Sequence, residues 1–477
     1  MNPNPQNLFA AAAQPMDTTK GPVPEPVVAQ DVPPSYYAVY VPLDGPGVIS
    51  LDRPRNVRRR RFWYFTACAL LLLVFWRPLV YAVAKMFVKL TTKPGPGPFK
   101  DISRPHLPAS DPSQCVGHVD WTPDPDGGHG LWPLHATTSL RFPVDANELF
   151  FLAQGSLSHG AFEVSQFHDV GTDAVVDIEV WYKNEDALGD ATVCRLHPSA
   201  SEHGLGIFTP RWEHPHRDLQ LHFHVHLRLP ASSSGSALSV NKLSTNLPLF
   251  SHHFSELADK VLFKSIDLRS TNAPMTADSL NANVASLRAV NGKIEGSFTS
   301  STTLDLTTDN APIRVHVNLI NKDERDGTVL RMNSRNGDIK ANVDLETAGD
   351  HLDLNGGAFR VEAMTYNAPV ELAFINAPAH SLLNASAVSS NAPVRVLAHP
   401  TFEGTFELHS SWYTPPSLIQ NKTVEDPLGW GRKRDTQITR MEKGAIRGKT
   451  AWTPAHPDAK NGHIGLETTN SRGVLVL

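Results

Sequence analysis

The stretch Thr303 to Val317, TLDLTTDNAPIRVHV, decides the fold. It joins a short alternating strand, a Ser/Thr-rich approach, Asn-Ala-Pro and a second alternating strand. The scheme recurs in IDLRSTNAPMTA from Ile266, FRVEAMTYNAPVELAF from Phe359 and SAVSSNAPVRVL from Ser386. LRAVNGKIEG from Leu287 and LRMNSRNGDIKANV from Leu330 put Asn-Gly at the same place, and HIGLETTNSRGVLVL from His463 returns to it. The key asparagines are Asn272, Asn291, Asn310, Asn336, Asn367, Asn391 and Asn470. The first three lie 19 residues apart, and the step of 26 to Asn336 is 19 plus a seven-residue polar excursion, Asn321 to Gly327. A period near 20 residues is a solenoid signal.

Ordinary hairpins fit this pattern poorly. Asn-Gly suits a type I′ turn, but in Asn-Ala-Pro the alanine would need positive φ while the following proline pushes it toward extended backbone. The chain is therefore expected to bend rather than reverse. Asn would take the left-handed region, Ala would stay extended, and Pro would open the next strand, where its missing N–H matters least. Successive coils would stack in parallel about 4.8 Å apart. The asparagines would then line up as an amide ladder, a structural role rather than a catalytic one. On this reading residues 236–477 form a β-solenoid or β-helix-like repeat region, with the polar excursion carrying little of its core.

Residues 144–235 read as a preceding β-rich region. Its clearest strand is LQLHFHVHLRL, Leu219 to Leu229, where leucine, phenylalanine and valine alternate with Gln220, His222, His224, His226 and Arg228. Three imidazoles on one face of one strand have a spacing that some zinc sites use. A solvated polar face explains the same alternation without a metal, and the sequence expectation is that no metal and no cofactor is required. Residues 91–143 are rich in turns and read as a Pro/Gly-rich stalk. Within them Asp124, Asp126, Gly127 and Gly128 hint at a calcium loop, but later ligands are missing and a plain turn is expected.

Further upstream, FWYFTACALLLLVFWRPLVYAVA from Phe62 to Ala84 is long enough to span a membrane as a helix, about 34 Å at 1.5 Å per residue. Arg77 in the outer third can snorkel, and Pro78 is tolerated in such helices. Residues 58–90 are thus a basic flank and transmembrane helix. Arg58, Arg59, Arg60 and Arg61 abut its start, so the N-terminus is expected on the cytoplasmic side and the C-terminal bulk in the lumen or outside the cell. No earlier apolar run or cleavage site is seen, which suits an uncleaved signal anchor. Residues 1–57 read as a disordered cytoplasmic tail. In it Pro33-Pro34-Ser35-Tyr36 resembles the ligand of WW domains.

Several short signals agree with this topology. Cys68 lies within the span, leaving Cys115 and Cys194 on the exoplasmic side as a candidate disulfide that spacing alone cannot decide. Asn384 and Asn421 head glycosylation acceptors, meaningful only in the secretory pathway. A balance of 43 basic against 48 acidic residues, with no strongly basic domain, argues against nucleic acid as a partner.

The NAP and NG corners, Gly206 to Trp212, Leu229-Pro230 with its serines, Ser251-His252-His253-Phe254 and Gly431 to Arg434 together resemble a group of basidiomycete single-pass membrane proteins with a β-rich domain of unknown function. The repeat is also similar to the bacterial adhesin β-solenoid. The resemblance covers residues 140–477 and implies a fold and an address, not a reaction. No nucleophile elbow, P-loop, zincin helix or dinucleotide fingerprint is present. The leading expectation is a noncatalytic, membrane-anchored, adhesin-like module whose exoplasmic partner is a protein or glycan. Two alternatives stand beside it. One is a trafficking adaptor that recruits a WW-domain ubiquitin ligase through Tyr36, and the other a metal-dependent hydrolase built on His222, His224 and His226.

Overall fold

The computed structural model describes residues 115–210, 219–322, 327–348, 356–411, 413–421, 423–456 and 459–477. All belong to the unit Ser103–Leu477. The tail with Pro33, Pro34 and Tyr36 and the apolar stretch Phe62 to Ala84 lie outside the described residues. Among the described residues no helix is long and apolar enough to cross a membrane.

The described chain is mostly β. Its first part runs through β1 (Cys115–His118), β2 (Thr122–Pro123), β3 (Leu134–Pro143), β4 (Glu148–Gln154), β5 (Ser158–Val170), β6 (Asp173–Tyr182), the short α1 (Glu185–Gly189), β7 (Thr192–Ser199), β8 (Glu202–Phe208) and β9 (Leu221–Ala231). Alternation in β9 sends Leu221, Phe223, Val225, Leu227 and Leu229 into the core, each at most 1 % exposed, and leaves the histidines on the other face. The pairs β4 with β8 and β5 with β9 are parallel, so these strands form two stacked coils.

The next strands are β10 (Leu238–Asn246), β11 (Phe250–Glu256), β12 (Val261–Arg269), β13 (Met275–Arg288), β14 (Ile294–Thr308), β15 (Ile313–Asn321), β16 (Thr328–Ser334), β17 (Ile339–Thr347), β18 (Ala358–Thr365), β19 (Val370–Asn376), β20 (Leu382–Ser389) and β21 (Val394–Leu397). They make two parallel sheets. β12, β13, β14, β16, β18 and β20 follow one another in the first, and β13, β14, β15, β17, β19 and β21 in the second. Two long strands, β13 and β14, each serve two coils, with register shifts where β13 passes from one sheet to the other. Inward Leu304, Leu306, Ile313, Val317 and Leu319 are at most 1 % exposed, and each such side chain contributes about 1.5 to 3 kcal/mol by burial.

At the far end come β22 (Gly404–His409), β23 (Ser417–Ile419), β24 (Lys433–Glu442), β25 (Ala445–Thr453), β26 (Gly462–Thr468) and β27 (Gly473–Val476). The chain leaves the stack after β21 and returns, so that β26 lies between β20 and β22, and β27 between β21 and β23. A similar reversal marks the beginning. β10 and β11 pair with β4 and β5, leaving the later strands β8 and β9 outboard. Antiparallel strands lie at both ends. β6 and β7 cover β9 and β8, while β25 covers β22 and β24 follows it. Reversed strands interrupt the parallel stacking at each end, while carrying edges of their own.

Four expectations change on this structure. The stretch read as a stalk up to residue 143 carries three strands, β1, β2 and β3, of which β3 pairs along its whole length with β6 beside turn-rich neighbours that mask its alternation. Residues 144–235 and 236–477 share one core and continuous parallel ladders across the junction. The corner asparagines are not left-handed, since among described non-glycine residues only His380, at φ 59°, has positive φ. Asn321, the first residue of the polar excursion, is 5 % exposed, donates to Thr328 Oγ1 and accepts from the Ala358 N–H, so this residue belongs to the core.

Candidate functional site

The corners carry an outer ladder and, at all but the Asn291 corner, an inner one. On the outside, the side-chain amide of Asn291 donates to the Asn272 carbonyl oxygen at 2.7 Å, and Asn310, Asn336, Asn367, Asn391 and Asn470 each donate to the preceding asparagine at 2.6 to 2.7 Å. All seven residues are exposed. On the inside, two residues earlier, stand Ser270, Thr308, Ser334, Thr365, Ser389 and Thr468, each at most 6 % exposed. Ser389 Oγ accepts from the Ala392 N–H at 3.2 Å and donates to the Ala368 carbonyl of the neighbouring coil at 3.0 Å. Ser334 does the same with the Gly337 N–H and the Ala311 carbonyl. The hydroxyl therefore does locally what positive φ was expected to do, holding the bend by a side-chain turn. Asn-Gly corners have their own reason, as a Cβ at Gly337 would stand 1.8 Å from the Ala311 carbonyl oxygen.

The three strand histidines sit on the outer face of the sheet β3-β6-β9-β5. Register puts His135, Trp181, His222 and His159 in one row, Thr137, Glu179 and His224 in the next, and Ser139, Asp177, His226 and Glu163 in a third. His222 belongs to an aromatic cluster, with ring centroids 5.2 Å from His159, 5.8 Å from Trp181 and 6.2 Å from Trp132. His224 Nε2 lies 3.2 Å from a Glu163 oxygen and its Nδ1 3.8 Å from a Glu179 oxygen, on opposite edges of the ring. His226 Nε2 lies 2.7 Å from Ser165 Oγ. The rings of His224 and His226 are stacked nearly parallel at 6.0 Å, so their nitrogens do not aim at one point. Among the described residues no group of three or more histidine, cysteine or acidic side chains is arranged to hold a metal.

Burial first, and then the imidazoles of His159, His224 and His129, holds His222 below the ordinary histidine range; burial does the same to His226. Below them, Thr122, Thr137, Thr138, Ser139, Asp177, Ile178, Glu179, His224 and His226 line an open groove of about 380 Å³. Imidazole nitrogens and hydroxyls can donate or accept hydrogen bonds and carboxylates accept them, so the groove suits a ligand rich in hydroxyl or amide groups. The loop before β3 packs on the neighbouring aromatic row. Trp181 donates to the Gly127 carbonyl and His135 contacts Asp124, so Asp124, Asp126, Gly127 and Gly128 form a turn packed on the aromatic row.

Glu163, Glu179, Asp177, His159 and Trp181 escaped the sequence reading. Their alternation in β5 and β6 was visible, but only the pairing register brings them to His224. Cys115 and Cys194 are joined as a disulfide, with Cα atoms 5.6 Å apart, which ties β1 to β7. Asn384 points outward from β20, and Asn421 sits exposed in a loop where its side chain accepts from Thr423.

No family model and no curated protein matches the chain. Solved structures similar to it include a putative cell adhesion protein from Clostridium sporogenes, at 7 % identity and TM-score 0.15 over 71 % of this chain and 98 % of that one. Putative adhesins from Parabacteroides distasonis and Parabacteroides merdae are similar at 9 % and 11 % identity, with TM-scores of 0.21 and 0.25. They cover 71 % and 74 % of this chain and 96 % and 97 % of their own. At such TM-scores the likeness carries no argument, and the fold stated above rests on this chain's own register.

Proposed function

We propose that the chain is a noncatalytic interaction module, anchored in a membrane by residues 62–84, with the solenoid on the exoplasmic side. The observation that carries this reading is the groove beside His224. It is built on the outer face of the N-terminal end of the stack, by side chains from β2, β3, β6 and β9, and it presents hydrogen-bonding groups. A glycan or a polar protein segment is the ligand class it suits. The proposed address draws on the arginine run before the apolar stretch and on the acceptors Asn384 and Asn421 after it.

Proximity labelling from the C-terminus of the full chain in intact cells tests this. Exoplasmic proteins or glycoproteins should be labelled, and their recovery should fall several-fold in a Glu163→Gln/Glu179→Gln variant of equal abundance. Labelling confined to cytosolic proteins would contradict the topology, and recovery indifferent to the double variant would contradict the groove. Pro33, Pro34 and Tyr36 support a separate reading of the tail as a WW-domain ligand. A tail peptide should then bind isolated WW domains and lose that binding on Tyr36→Ala.

A further inference from the structure

β24 is the last strand of the C-terminal cap, and among the described strands it pairs with β25 alone. Its outer edge offers backbone N–H and C=O groups along ten residues, nearly all of them exposed. Natural edge strands are kept from pairing by being short, covered, charged or bulged; this one is long and mostly exposed, and it is its charges and its bulge that decide what can pair with it. It carries a bulge, since Ile438 pairs with Gly448 and Arg440 with Arg447, leaving Thr439 as the extra residue. The bulge changes which side chains share a face. Lys433, Asp435, Gln437, Arg440 and Glu442 stand opposite Thr453, Ala451, Lys449, Arg447 and Ala445, so all five project from the outer face. Read in order, that face is positive, negative, neutral, positive, negative.

Such a pattern is its own complement when reversed. The geometry points to a second copy of this chain as the occupant of the edge, with the two β24 strands antiparallel about a two-fold axis at Gln437. Lys433 then faces Glu442 of the other copy, Asp435 faces Arg440, and Gln437 faces itself, which is the isologous arrangement a symmetric dimer requires. Within one chain these groups are satisfied only locally, Arg440 by Glu442 and Gln437 by Asp435, each two residues away. The opposite face adds an apolar contribution. Ile438 and Met441, 45 % and 72 % exposed, continue the buried side of β25 defined by Ile446 and Trp452. In the paired arrangement they meet Thr436 and the stem of Arg434 of the second copy. This inference is independent of the groove at the other end of the stack.

Oxidative crosslinking of the full-length chain tests it. A Gln437→Cys variant should form a disulfide-linked dimer on a non-reducing gel, because only a two-fold axis there brings position 437 against itself. Two differently tagged full-length copies should also co-purify. Lys433→Glu or Glu442→Lys alone should lower that recovery at least fivefold by setting like charges opposite each other. The double variant Lys433→Glu/Glu442→Lys should bring it back to within twofold of the parent. Absence of the Gln437→Cys dimer, or a double variant as weak as either single one, would overturn the proposal.

Discussion

The regular middle of the stack and its two ends are held in different ways. Between Ile266 and Leu397 the same corner is made again and again. Each hydroxyl and each asparagine repeats a neighbour's bonds, so no single one of them is indispensable. At the ends the devices are single. Arg432 and Asp426, with side chains 5 % and 2 % exposed, are paired at 2.8 Å beside Glu403 and Trp452. His252 is fully enclosed near Phe162, its Nε2 2.8 Å from Thr245 Oγ1. Repetition spreads stability over many small equal terms, whereas a termination that occurs once concentrates it.

That contrast ranks the expected effects of substitution. The largest is at the C-terminal cap. Asp426→Ala leaves the Arg432 guanidinium buried without the carboxylate that now holds it, and loss of one partner of a buried pair costs about 3 kcal/mol. Urea unfolding of the purified chain should show this as a lower midpoint. Next is the pH dependence set by His252, which burial pushes down to about 4. The unfolded imidazole takes a proton near pH 6.5, before the folded one can, so stability is full above that value and falls as pH drops toward 4. Two and a half units amount to roughly 3 kcal/mol, and His252→Phe should flatten this part of the profile.

Smaller effects are expected in the middle. Ser389→Ala strands the Ala392 N–H and the Ala368 carbonyl inside the stack, a loss of about 1 to 3 kcal/mol. Asn391→Ala, in the same corner, removes two amide bonds that water can replace, and should cost about 1 kcal/mol or less. Asn310→Leu belongs with it, because its amide is exposed and its backbone is not left-handed. Parallel thermal melts of the serine and asparagine variants would measure the difference. Equal losses would remove the distinction between the inner and the outer ladder.

What was legible in the sequence follows the same division. Repetition announced the corners, because Asn272 to Asn470 recur in a recognisable tetrad of residues, and strict alternation announced the inward side of β9. The weight of the inner hydroxyls was hidden. Ser, Thr and even Ala289 share that position, and mixed identities do not show as a repeat. Nor could the sequence show the end reversals, since nothing in β8 and β9 states that they lie outboard of strands that precede them. The groove was hidden for the same reason, being assembled by pairings between residues far apart in sequence, such as Ser139 with Asp177, Glu179 with His224 and His224 with Glu163.

The spatial order at the N-terminal end is the claim from which the groove and the shared core follow, and cysteine pairs can read it directly. Glu163 and His253 are register partners on neighbouring parallel strands, and both face outward. Glu163→Cys/His253→Cys should therefore bridge under mild oxidation, since strands about 4.8 Å apart fall within disulfide reach. His226→Cys/His253→Cys should not, because β5 lies between them and doubles the separation. Bridging of the second pair without the first would mean that β9 stacks directly on β11 in chain order, contradicting the reversed coil.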